Sequence, residues 1–119
     1  MEQTKELLER IKEGIQEKKG KNIIVADLTK IPERSCDYFV ICEGSTPTQT
    51  SAIYESVEDM VRTKAHVKPT HTAGQQNAIW IAMDYVDVMV HIFLPEARQH
   101  YDIEHLWEDA ELTKIPDID

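Results

Sequence analysis

Apolar and polar positions alternate most clearly between Ala78 and Leu94. Two β-branched, apolar runs, Ala-Ile-Trp-Ile-Ala-Met-Asp and Asp-Val-Met-Val-His-Ile-Phe-Leu, flank Tyr85-Val86. Short strand-forming runs separated by two residues predict a β-hairpin. With Tyr85-Val86 as the turn, Asp84 faces Asp87, Met83 faces Val88, Ile81 faces Val90 and Trp80 faces His91. Side chains alternate along a strand, and directly opposed residues share a face. The hairpin therefore has an aliphatic face of Ile79, Ile81, Met83, Val88, Val90 and Ile92, which belongs in a core. Its other face holds Trp80, Ala82, Asp84, Asp87, Met89, His91 and Phe93. Two readings of that second face stand: one roofed by a helix, or one built to meet a partner.

The remaining pattern places the other elements. Residues 3–18 carry Leu7, Leu8, Ile11 and Ile15 on one helical face, and Gly20 sits where such a helix stops. Asn22 to Leu28 and Asp37 to Glu43 are short, β-branched runs and predict two strands. Thr46 as a cap, Pro47 at the first helical position and Gln49 completing a capping box predict a helix. Ala52, Ile53, Val57, Met60 and Val61 make its inward stripe. Val67 to Thr72 predicts an edge strand interrupted by Pro69. A polar loop, Gly74 to Asn77, then leads into the hairpin. Pro95 opens a turn or short helix through Tyr101, and Asp102 caps a last helix, Ile103 to Ala110, with Ile103, Leu106 and Trp107 inward. This order predicts one α/β domain over residues 1–119, a mixed sheet of about five strands flanked by helices, with residues 111–119 as a frayed tail.

Charge and chemistry narrow the function. Thirteen Lys and Arg against 22 Asp and Glu leave a net charge of −9. That balance works against a nucleic-acid backbone and suits either solubility or a basic protein partner. No apolar run reaches the roughly 20 residues of a membrane span, and Met-Glu-Gln-Thr-Lys-Glu lacks the start of a signal peptide. Cys36 and Cys42 are too few for a disulfide framework, which fits a reducing cytoplasm. Gly44-Ser45, after a strand and before a helix, resembles the opening of a nucleotidyltransferase signature. The alternating acid pair that would hold Mg²⁺ for that chemistry does not follow it. The five histidines lack zinc-like spacing, and Asp84 and Asp87 stand apart from His91 along the strand. No catalytic residue, metal site or cofactor is therefore expected. An exposed hairpin face would place Trp80 among the acids Asp84, Asp87, Asp102, Glu104 and Glu108, the anatomy of a docking surface.

These residues also carry a resemblance. Asp37-Tyr-Phe-Val-Ile-Cys-Glu-Gly-Ser45 with Gln49, then Trp80, Asp84-Tyr-Val-Asp87-Val-Met-Val-His91-Ile-Phe93, then Arg98, Tyr101, Glu104 and Leu106-Trp107, resemble the ribosomal silencing factor (RsfS, Iojap) family across residues 5–110. The resemblance implies a non-enzymatic, cytoplasmic factor with a nucleotidyltransferase-like fold. It implies binding to large-subunit ribosomal protein fourteen, with little direct nucleic-acid contact, and a steric block to joining of the small subunit. It implies large-subunit assembly as the role of organellar relatives, and self-pairing of some members when free. Combined with the hairpin pairing, it gives Trp80, Asp84, Asp87, His91, Tyr101 and Asp102 as partner-binding residues, with Trp107 in the core.

Two positions depart from the family pattern. Val86 stands where the family usually has glycine, and a β-branched residue at positive φ is a conformational outlier. A turn widened to Asp84–Asp87 would keep the facing pairs, whereas a one-residue bulge would exchange the faces. Ala73 precedes Gly74 where the family often has an acid. If that acid docks the partner, affinity here is lower.

Overall fold

The computed structural model describes residues 2–34, 36–103 and 110–117. Its elements are α1 (Glu2–Glu17), β1 (Lys21–Asp27), β2 (Tyr38–Glu43), α2 (Pro47–Ala65), β3 (His71–Ala73), β4 (Trp80–Asp84), β5 (Val88–Phe93), α3 (Pro95–Tyr101) and β6 (Glu111–Ile115). The strands form one mixed sheet in the order β3-β4-β5-β2-β1-β6. The β2–β5 pair is parallel, because α2, β3 and β4 lie between them in the chain, and the other pairs are antiparallel.

Each face of the sheet has its own core. On one, Val40, Cys42, Ile81, Met83, Val88, Val90 and Ile92 pack against Leu7, Ile11 and Ile15 of α1 and Ile53, Val57 and Val61 of α2. On the other, Phe39, Ile41 and Phe93 pack with Ala97 and Ile103. The central strand β2 thus sends alternate residues into opposite cores, as a strand covered on both sides must.

The helix signals at Thr46-Pro47 act almost as expected. Thr46 is extended (φ −141°, ψ 160°), and its hydroxyl accepts the Gln49 N–H at 3.1 Å. The Gln49 carboxamide reaches one residue further back than a capping box does, accepting the Ser45 N–H at 2.7 Å. Its Nε2 donates to the Lys18 and Lys19 carbonyls, tying the start of α2 to the end of α1. Of the predicted α2 stripe, Ile53, Val57 and Val61 are fully buried, while Ala52 and Met60 are half-buried.

Four expectations change. The hairpin turn is Val86-Asp87, so Trp80 faces Phe93, Ile81 faces Ile92, Met83 faces Val90 and Asp84 faces Met89. Every partner lies two residues beyond the expected one, and an even shift leaves each side chain on its predicted face. Ile79, expected in the core, is 46% exposed because β4 begins only after Ala78 turns the chain with φ +57°. The edge strand predicted over Val67 to Thr72 is the three-residue β3. Finally, residues 111–115 do not fray. They pair antiparallel with β1 from Asp27↔Glu111 to Ile23↔Ile115, which gives the sheet a sixth strand. The strand is exposed almost throughout, so the free edge of β1, rather than apolar burial, holds it. The helix predicted from Ile103 to Ala110, with Leu106 and Trp107, lies outside the described residues apart from its ends.

A candidate docking face at one end of the hairpin

The side of the hairpin opposite α1 and α2 builds an aromatic cluster. Cross-strand pairing sets Trp80 against Phe93, and their rings stack with centroids 4.9 Å apart and planes 25° apart. Trp80 also meets Tyr101 of α3 at 4.7 Å. Behind them His91 is buried, with the edge of Phe39 against its ring at 4.9 Å. Phe93 and His91 are thus roofed, whereas Trp80 is half-buried and Tyr101 is 50% exposed. Both readings of the mixed face hold in part. Its inner residues are core, and its outer rings meet solvent.

Trp80 and His91 are joined by a hydrogen bond. The indole Nε1–H donates to His91 Nδ1 at 3.0 Å. Indole can only donate, so Nδ1 must be the unprotonated nitrogen and the ring proton sits on Nε2. Nε2 is buried and finds no acceptor among the described residues. Burial pushes the imidazole down to about 4, so the ring is neutral near pH 7. His91, expected at the surface, therefore cannot offer itself to a partner and instead supports Trp80 from within.

Tyr101 is placed by the geometry of α3. Pro95 occupies the first turn, where its missing N–H is harmless. Arg98, buried on the inner side, donates from Nη1 to the Asn22 carbonyl at 2.6 Å and to the Glu43 carboxylate at 3.1 Å. Those bonds pin α3 to the sheet across β1 and β2. The helix ends at Asp102, whose backbone is left-handed (φ +47°) and whose N–H donates to the Arg98 carbonyl at 2.8 Å. Asp102 is exposed beside Tyr101.

Asp84 and Asp87 lie at the far end of the hairpin. Four residue steps along the strand separate Asp84 from Trp80, about 13 Å. Asp84 Oδ1 accepts the Val86 N–H at 2.8 Å, and Asp87, which is exposed, accepts a hydroxyl bond from Thr4 at 3.4 Å. The six expected partner-binding residues thus divide. Trp80, His91, Tyr101 and Asp102 gather at one end, and Asp84 and Asp87 shape the turn at the other. Phe39 and Arg98 complete the site but were not among the six. Arg98 was visible as a motif residue. Phe39 too lay within a motif, that of Asp37 to Ser45, but its place beside His91 follows from the parallel β2–β5 pairing, which no local pattern signals.

Beside the aromatic cluster a mainly apolar groove of about 650 Å³ is lined by Ile79, Leu94, Pro95 and Ala97, with Ser45, Glu96 and His100 as its polar members. At its Gly44-Ser45 wall, the Gly44 N–H donates to the Phe93 carbonyl and the Ser45 N–H to Gln49. The Gly44 and Ser45 amides are therefore already engaged within the protein. No described helix is long and apolar enough to cross a membrane.

Comparison with known proteins agrees with this architecture. The family model described as "Ribosomal silencing factor during starvation" matches residues 1–119. The chain belongs to the ribosomal silencing factor (RsfS) family. The ribosomal silencing factor RsfS of Bacillus subtilis is 30% identical over 111 residues, 93% of this chain and 92% of that one. A crystal structure of a Chromobacterium violaceum protein superimposes with a TM-score of 0.82 at 28% identity, covering 94% of this chain and 92% of that one. The mouse protein named "mitochondrial assembly of ribosomal large subunit protein 1" is 31% identical over 91 residues, 69% of this chain and 39% of its own length. Within the RsfS family pattern this chain carries valine at position 86, and it meets the turn's demand at positive φ (+74°) with that valine.

Proposed function

We propose that this protein is a cytoplasmic, non-enzymatic factor that lowers translation by occupying the large ribosomal subunit. Trp80 and Tyr101 dock on a basic surface of large-subunit ribosomal protein fourteen, and the bound protein sterically excludes the small subunit. The observation that carries the reading is the contact of the partly buried Trp80 with the exposed Tyr101, backed by the buried Phe93 and His91. Aromatic anchors set on rigid elements are the usual centres of protein interfaces. Membership in the RsfS family and the net charge of −9 favour a ribosomal, lysine- and arginine-rich partner over nucleic acid.

The test is sedimentation of purified large and small subunits with saturating protein. Reduced joining is expected, and undiminished joining would reject the mechanism. Trp80→Ala should weaken large-subunit binding by about 2 kcal/mol, roughly thirtyfold, as an aromatic anchor does. Normal binding by this variant, once shown to be folded, would place the contact elsewhere.

The mouse relative's name favours a second reading, a role in assembling the large subunit. Gradient profiles of cells lacking the protein separate the two. Immature large subunits would indicate assembly, and normal profiles with excess translation under starvation would indicate silencing. The free protein pairs with itself in neither scheme by necessity, and light scattering with and without the ribosomal protein reads that property directly.

A further inference from the structure

We infer that His91 is a positioning residue for docking, holding the Trp80 indole in its binding orientation through the Nε1–H to Nδ1 bond. This rests on the proposed docking role of Trp80. An indole that is only half-buried has more than one rotamer open to it, and a partner that selected one would bind more weakly for it. Here three contacts choose the rotamer beforehand. Phe93 stacks beneath the ring at 4.9 Å, Tyr101 meets it at 4.7 Å, and His91 accepts its single polar hydrogen at 3.0 Å. His91 is itself fixed, with Phe39 edge-on at 4.9 Å and burial on all sides.

The bond has a consequence for the partner's chemistry. Trp80's N–H is consumed inside the protein, so the partner need present no acceptor there. What remains exposed is ring surface, which fits an aliphatic stem or a lysine or arginine cation. Neutral His91 is suited to this task because its Nδ1 lone pair faces the indole and its proton sits on the opposite nitrogen. A phenylalanine or leucine at position 91 would fill space without accepting, whereas a glutamine carbonyl could accept.

The experiment measures binding of the full chain to purified large subunits for wild type, His91→Leu, His91→Gln, Trp80→Phe and the Trp80→Phe/His91→Leu pair. Loss of one neutral hydrogen bond predicts about fivefold to tenfold weaker binding for His91→Leu. His91→Gln should recover most of it, and His91→Leu should add nothing once Trp80 is phenylalanine. Nitrogen-15 spectra of the wild-type histidines should show His91 protonated at Nε2 and bare at Nδ1, with slow exchange of the Trp80 indole proton. Should Trp80→Ala bind normally, the docking reading falls and this role with it. Weakened binding by Trp80→Ala beside wild-type binding by His91→Leu overturns the positioning role alone. A His91 ring protonated at Nδ1 overturns it without any binding measurement, even if His91→Leu does not fold.

Discussion

Val86 and His91 show how much can rest on single residues. The Val86 N–H is held by Asp84, and the Asp87 N–H donates to the Tyr85 carbonyl at 3.0 Å, closing a three-residue turn about a valine at φ +74°. A β-branched residue there stores about 1–3 kcal/mol of strain. Val86→Gly should therefore stabilise the protein, by about 1 kcal/mol after glycine's extra unfolded-state entropy is deducted, read as a higher urea midpoint at constant slope. A demand for positive φ at this position was legible only through the family's usual glycine, and Val86 there made a tight turn look doubtful. The turn's exact centre was not legible, since Tyr85-Val86 and Val86-Asp87 keep the same faces and differ only in which residue turns. His91 makes a second prediction. Its folded value of about 4 lies below the ordinary 6.5, so between those values the unfolded chain binds more protons than the folded one. This contribution to stability is complete above 6.5 and falls as pH drops towards 4. Between about pH 7.5 and pH 5.5, wild type should lose about 1 kcal/mol more than His91→Gln in paired urea titrations. Equal losses would mean that the His91 ring gains its proton while still folded.

At the scale of elements, the fold depends on how closely helices and strands approach one another. A Cβ on Gly14 would stand 2.7 Å from the Val57 Cα, and Ser56 Oγ donates to the Gly14 carbonyl at 2.7 Å. The two helices therefore meet backbone to backbone at this point. Gly14→Ala adds helix propensity on α1, worth up to about 1 kcal/mol, but forces α1 and α2 apart in a close-packed core. The clash should win, lowering stability by about 1–2 kcal/mol, with a fall in melting temperature as the measure. A more stable variant would mean that α1 can slide without cost. The helices and central strands were legible because their periodicity and caps are local: the Leu7-Ile11-Ile15 stripe and the Thr46-Pro47 start each sit within a few residues. The sixth strand was not, since Glu-Leu-Thr-Lys-Ile is short, mostly exposed and held chiefly by its pairing with β1, nearly 90 residues earlier. The candidate site divides in the same way. Trp80 and Tyr101 could be picked out as ring-bearing residues near acids. That His91 would lie beneath them rather than beside them follows from the parallel β2–β5 pairing that brings Phe39 against it, and no local pattern encodes such a pairing.

For the whole molecule, the question is what charge adds to a docking face whose centre is aromatic. A net charge of −9 on 119 residues creates a field that draws a basic partner in from a distance, but salt screens it. The rings act only in contact. Electrostatics should thus govern how fast the protein meets the large subunit, and Trp80 how long it stays. Asp87 and Asp102 test the separation well because both are exposed, and asparagine suits the left-handed backbone at position 102. Asp84 is a poorer choice, since its carboxylate holds the turn. Asp87→Asn with Asp102→Asn should slow association by about threefold at low salt and flatten its salt dependence, while dissociation changes little. Trp80→Ala should do the reverse, leaving association near normal and speeding dissociation. Stopped-flow measurement with labelled large subunits at several ionic strengths reads both rates. If the asparagine pair left the salt dependence unchanged, neither the acid beside Tyr101 nor the one at the far end of the hairpin would have a part in the encounter, and the steering would have to come from the rest of the negative surface.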